Sequence, residues 1–144
     1  MAKSIVSQVQ LLPRTEDSAP WEAADHQLVP INLKRYGYVE EEYLYSGKAN
    51  VYTLKNGRAE IKTENADYTN RFILRKPENP AKFSGNVIVE LLNSTNSWDV
   101  SPMWCLLWQK MLQEGDIYIG VTVRAICTKA LKTFDPNRYE KVSW

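Results

Sequence analysis

From Tyr38 the chain alternates with a period of two. In YVEEEYLYSG, Val39, Glu41, Tyr43 and Tyr45 interleave with Tyr38, Glu40, Glu42 and Leu44. Neither face is cleanly apolar, which predicts an edge strand whose glutamates lie on a solvated edge and discourage pairing with another chain. Gly47 breaks this segment, ANVYTL resumes it, and Asn56-Gly57 signals a hairpin turn from which GRAEIKT returns. RFILRK predicts a further strand, stopped by Pro77 and Pro80, with Phe72 and Leu74 on one side and Arg71, Ile73 and Arg75 on the other. Ahead of these strands, residues 1–35 hold Pro13, Pro20 and Pro30 in mixed sequence with no sustained period. They are expected to form an irregular arm wrapped over a body at residues 36–144, since Trp21 and residues 28–31 need cover.

The second half follows a different pattern. GNVIVELL is an almost unbroken apolar run, the signature of a strand buried on both faces of a parallel sheet. SPMWCLLWQKMLQEG then predicts a helix: Ser101 suits the N-cap, Pro102 the first helical position and Gly115 the stop. Trp104, Leu107, Trp108 and Met111 form one stripe at i, i+3, i+4 and i+7. IYIGVTV repeats the buried-strand pattern, completing a βαβ unit whose crossover is expected to be right-handed. The fold class is therefore α/β, antiparallel hairpin strands leading into a parallel sheet.

Composition narrows the function classes. With 144 residues, 44% apolar and 24% charged, the chain is one ordinary globular domain or part of a larger one. Eighteen basic against seventeen acidic residues leave a net charge of +1, so nothing favours nucleic acid or an anionic membrane as a partner. Two cysteines are too few for a disulfide framework, and Cys105 falls within the helical apolar pattern. Reduced, partly buried thiols in a cytoplasmic protein are expected. MAKSIVSQVQLLPRTED lacks an apolar run of signal-peptide length, and no stretch approaches the ~18 apolar residues of a membrane span.

Three segments carry a resemblance to a known family. YGYVEEEYLYSGKANVY, YTNRFILRKPENPAKFSGNVIVELLN and LKTFDPNRYEKVSW resemble the amino-terminal part of a large, chiefly microbial α/β-hydrolase domain family. The resemblance runs from about Trp21 to the end, and RKPENPAKFSGNVIVELLN and FDPNRY are its most specific pieces. It implies an α/β-hydrolase fold and ester hydrolysis by a serine nucleophile, with a small-molecule ester as substrate and no cofactor or metal. In an open parallel sheet ligands bind beyond the carboxyl ends of the strands. The loop after Leu92 is expected there, at the mouth of a helix whose free N–H groups favour negative charge. In this fold it would supply one oxyanion-hole donor. Asn93, Ser94 and Thr95 are the candidate residues, acting through main-chain N–H groups. The segment lacks the His-Gly-Gly pattern of lipases, and the bland alternative is a plain connection using Asn and Ser for turn geometry.

The nucleophile elbow G-x-S-x-G occurs nowhere in the sequence, and the one histidine, His26, precedes the predicted strands. The family's triad runs serine, acid, histidine. A single-domain hydrolase needs roughly 200 residues or more, so the chain is expected to be an amino-terminal portion, inactive alone. The alternative is a non-catalytic module that binds or self-associates. Either way, an apolar strand left with an unpaired edge predicts homo-oligomers or association with the remaining hydrolase portion.

Other motifs weigh little. Asn93-Ser94-Thr95 matches a glycosylation sequon by chance, without a secretion signal. Five Trp and eight Tyr are expected in the core rather than on a sugar-stacking surface. Asp135-Pro136-Asn137 is a turn signal.

Overall fold

A computed structural model describes residues 5–144, the side chain of Asn96 excepted. Five strands form one mixed sheet: β1 (Ile5–Leu12), β2 (Tyr38–Lys55), β3 (Arg58–Pro77), β4 (Val87–Leu91) and β5 (Ile117–Val121). Their spatial order is β1-β2-β3-β5-β4, antiparallel throughout except for the parallel β4–β5 pair. Helix α1 (Pro102–Glu114) makes the crossover between the parallel strands, and α2 (Ala125–Phe134) follows β5. No helix among the described residues is long and apolar enough to cross a membrane.

Four expectations about the sheet need correction. The segment YVEEEYLYSG is not an edge: β2 lies between β1 and β3, and β1 arises within the stretch expected to be irregular. Of the glutamates that suggested a solvated edge, Glu40 and Glu42 are drawn inward by arginines and Glu41 is paired with Lys76. Gly47 does not interrupt β2, which runs through it; a Cβ there would lie 1.8 Å from the Ile5 carbonyl oxygen, so the glycine lets β1 approach. The strands either side of TENADYTN are one strand, β3, hairpinned to β2 through Asn56 and Gly57 at φ 51° and 76°.

The fourth correction concerns VIVEL. It is the outer strand of the parallel pair, with Val87, Val89 and Leu91 51%, 58% and 68% exposed. Cross-strand register explains why. Glu42, Ile73, Gly120 and Glu90 share one face, and Tyr43, Phe72, Val121 and Leu91 share the other. Both helices and the arm pack on the first face. There, Ile31, Leu33, Tyr38, Ile73, Trp104, Met111, Leu112 and Tyr118 form one core cluster, and Leu44, Leu131, Tyr139 and Val142 a second. β5, not β4, is the internal member of the pair, so an apolar run marked the parallel pair without fixing which member sits at the rim.

Helix α1 begins and ends where expected, Gly115 closing it at φ 86°. Its cap differs. Ser101 makes no side-chain capping bond; instead Glu90 accepts from the Met103 and Trp104 N–H groups at 2.8 and 3.1 Å. Trp104 and Met111 are buried as the stripe predicts, whereas Leu107 is 41% exposed and Cys105 is exposed.

Candidate active-site loop

The parallel strands β4 and β5 end side by side, joined by a Leu92 N–H bond to the Val121 carbonyl at 2.9 Å. Residues 93–100 follow as a closed loop, because Asn93 and Val100 exchange both main-chain bonds at 2.8 Å. Within it Thr95–Ser97 make a 3-10 turn, and Ser97 takes a left-handed φ of 63°.

The three candidate N–H groups are not equivalent. That of Asn93 donates to Val100. That of Thr95 donates to the Asn93 side-chain oxygen at 2.8 Å, which also accepts from the Thr95 hydroxyl. Ser94 N–H donates to no acceptor among the described groups. The helix mouth is not open to a substrate anion: Pro102 has no N–H, and the next two donors are held by Glu90. Tyr118 donates to the same carboxylate at 2.6 Å, and burial pushes its phenol pKa up.

Behind the loop lies a buried network that sequence inspection did not find. Asp99, 1% exposed, accepts from Arg71 Nη2 at 2.9 Å and from the Thr122 hydroxyl. Arg71, fully buried, also donates to Glu42 at 2.6 Å, to Thr122 at 2.9 Å and to the Trp21 carbonyl at 3.1 Å. Burial opposes the Arg71 charge, but Glu42, Tyr139 and Asp99 more than reverse that effect and raise its pKa. Arg138 donates to the other Glu42 oxygen at 2.6 Å, and Tyr139 to the first at 2.9 Å. Two arginines thus balance two carboxylates, which is what allows charges to be buried at all.

Beside it, Glu40 accepts from Arg75 at 2.8 Å, and Glu41 accepts from Lys76 at 2.8 Å. The three consecutive glutamates are therefore ion-pair partners and not a solvated edge. Arg75 lies over the rings of Trp104 and Tyr118, at 4.1 and 5.3 Å from their centroids.

The arm is fastened onto this network by its main chain. Trp21 N–H donates to Tyr139 Oη at 2.7 Å, and the Glu22 carbonyl accepts from Arg75 at 2.8 Å. Glu22 sits at φ 63°, and burial raises its carboxyl pKa against the pull of Arg71 and Arg75. Cys127, under the loop, donates its S–H to the Trp98 carbonyl at 3.7 Å; burial, with Asp99 nearby, pushes its thiol up to about 12. His26 is exposed, beside Asp25 and Arg14. Among the described residues no three His, Cys, Asp or Glu side chains converge as a metal site.

The polar pattern after GNVIVELL located the loop, but nothing local marks Asp99 or Arg71. Their side-chain partners lie 23 residues or more away in sequence, so only the fold brings them together.

No curated protein and no solved structure matches the chain. The family model described as an alpha/beta hydrolase domain matches residues 7–144. With hairpin strands feeding a parallel pair through a helical crossover, and a closed polar loop at the carboxyl ends, the chain belongs to the alpha/beta hydrolase domain family.

Proposed function

We propose that the protein serves serine-dependent hydrolysis of carboxylic esters, residues 1–144 contributing the oxyanion-hole loop. The supporting observation is the state of the loop's donors: with Asn93 and Thr95 N–H engaged, Ser94 N–H is the one of the three left to receive a developing oxyanion. The Asn93–Val100 bridge and the Asp99–Arg71 pair fix its direction before substrate arrives. Such preorganised donors act on charge that develops in the transition state, and losing one costs about a hundred- to thousandfold in rate. The nucleophile and the triad histidine are proposed to come from sequence beyond these 144 residues. Residues 1–144 alone are then inactive on p-nitrophenyl acetate. Turnover that survives repurification, with fluorophosphonate labelling, would show an unrecognised nucleophile.

The decisive experiment uses a chain that carries the serine. Proline at Ser94 removes the N–H; alanine keeps it and deletes only the hydroxyl. Ser94→Pro should lower kcat about a hundredfold or more, and Ser94→Ala far less. The same pairs at Asn93 and Thr95 should give smaller kcat losses and larger drops in thermal stability, because those N–H groups hold the loop together. Equal, small effects of proline and alanine at all three positions would make the loop a connection only. A second reading, a non-catalytic self-associating module, draws on the uncovered sheet face considered in the Discussion.

A further inference from the structure

We infer that Trp98, with Trp21 and Phe134, forms the apolar wall of the substrate site and selects esters carrying an aromatic or bulky apolar group. This rests on the hydrolase reading above and adds the substrate class. The three rings come from separate segments: the arm, the candidate loop and the last residue of α2. Trp21 stands between the others, edge to face with Trp98 at 5.3 Å and 67° and with Phe134 at 5.1 Å and 68°.

Its main chain is clamped at both polar groups, the N–H to Tyr139 and the carbonyl to Arg71. Trp98 is held too: its N–H donates to the Thr95 carbonyl at 3.2 Å, its carbonyl accepts from Cys127, and its neighbour Asp99 is locked to Arg71. Despite these fixings Trp98 remains 53% and Phe134 49% exposed. A cluster made only for packing would bury its rings. Here main-chain bonds at Trp21 and Trp98 hold a centre that carries two half-exposed rings, one of them on the candidate oxyanion loop itself. Rigid aromatic faces of this kind bind flat apolar groups with little loss of side-chain entropy.

The test is binding of 2-acetylnaphthalene, a ketone that copies an aryl ester without its scissile bond, to 15N-labelled residues 1–144. The Trp98 and Trp21 indole N–H resonances should move saturably, while 2-butanone should move neither. Trp98→Ala should weaken binding about tenfold. Trp98→Phe should retain most of it, and Trp144→Ala, at an exposed ring outside the trio, should leave it unchanged. Absence of saturable shifts, or undiminished binding in Trp98→Ala, overturns the inference. Its failure is separable from that of the hydrolase reading. Binding at Trp98 without ester turnover in a serine-bearing chain removes the reading and keeps the wall. Turnover in which Trp98→Ala lowers kcat/KM equally for 2-naphthyl and ethyl acetate removes the wall and keeps the reading.

Discussion

At the scale of single residues, the buried charges dominate. Arg71 touches Glu42, Asp99, Thr122 and the Trp21 carbonyl, so its removal strands two buried carboxylates at once. Arg71→Met should destabilise the fold by about 3–5 kcal/mol in urea unfolding. Lys48→Ala, which breaks an exposed pair with Asp67, should cost less than about 1 kcal/mol. Similar costs for the two would mean that the Arg71 network is not the clamp its geometry describes. The thiols offer an independent check. With its pKa raised by burial, Cys127 should resist iodoacetamide at pH 8 in the native state, and exposed Cys105 should react. Native-state labelling of Cys127 at the Cys105 rate would contradict its burial. Glu40, Glu41 and Glu42 show why sequence misled here. A run of glutamates on a strand looks alike whether solvated or paired, and Arg138 lies 96 residues beyond Glu42.

At the scale of elements, local signals worked where the cause was local. The Asn56-Gly57 hairpin, the limits of α1 and the strand–helix–strand order were all legible, because turn chemistry and apolar period act within a few residues. The loop's position was legible too, but which of the three candidate N–H groups lacks a partner among the described groups was not, since that depends on the Asn93–Val100 bridge and on the Asn93 side chain turning back to Thr95. The helix cap shows the boundary between the two. Ser101 is the residue sequence favours, yet Glu90 on β4 holds the first-turn N–H groups and Tyr118. Glu90→Ala should therefore cost about 2 kcal/mol or more by chemical denaturation, and Ser101→Ala well under 1 kcal/mol. The reverse order would restore Ser101 as the cap. Past α2, the Ser18 hydroxyl and then the Arg138 N–H hold the Asp135 carboxyl below its ordinary range. A depressed folded pKa gives stability that is present above the unfolded value and lost as pH falls through the folded one. Ser18→Ala should raise the Asp135 pKa in a carboxyl NMR titration and shrink this loss on acidification; an unmoved titration would break the link between arm and turn.

At the scale of the whole molecule, the two faces of the sheet differ in kind. One carries both helices, the arm and the core. On the other, Val9, Leu11, Tyr43, Tyr45, Phe72, Leu74, Ile119, Val121, Val89 and Leu91 share the surface, and none of them is buried among the described residues. An apolar face this broad is a docking surface in most folded proteins. Its outer strand adds to the tendency. On β4 the main-chain groups of Asn86 and Leu92 bond β5, so those of Val87, Val89 and Leu91 turn to the open side. The opposite edge is blunted by the irregularity between Val6 and Gln8, whereas VIVEL has neither a bulge, a lysine nor a proline. Residues 1–144 are therefore expected to run as dimers or larger assemblies in light scattering at micromolar concentration. Val89→Lys should shift them toward monomer with unchanged circular dichroism, because Val89 is 58% exposed and supports no core contact that a lysine would break. A wild-type monomer would show that the open face and edge are tolerated in water. Assemblies indifferent to Val89→Lys would move the contact away from β4, to the outer face of the β2–β3 hairpin, where Tyr52, Leu54 and Ile61 are also exposed.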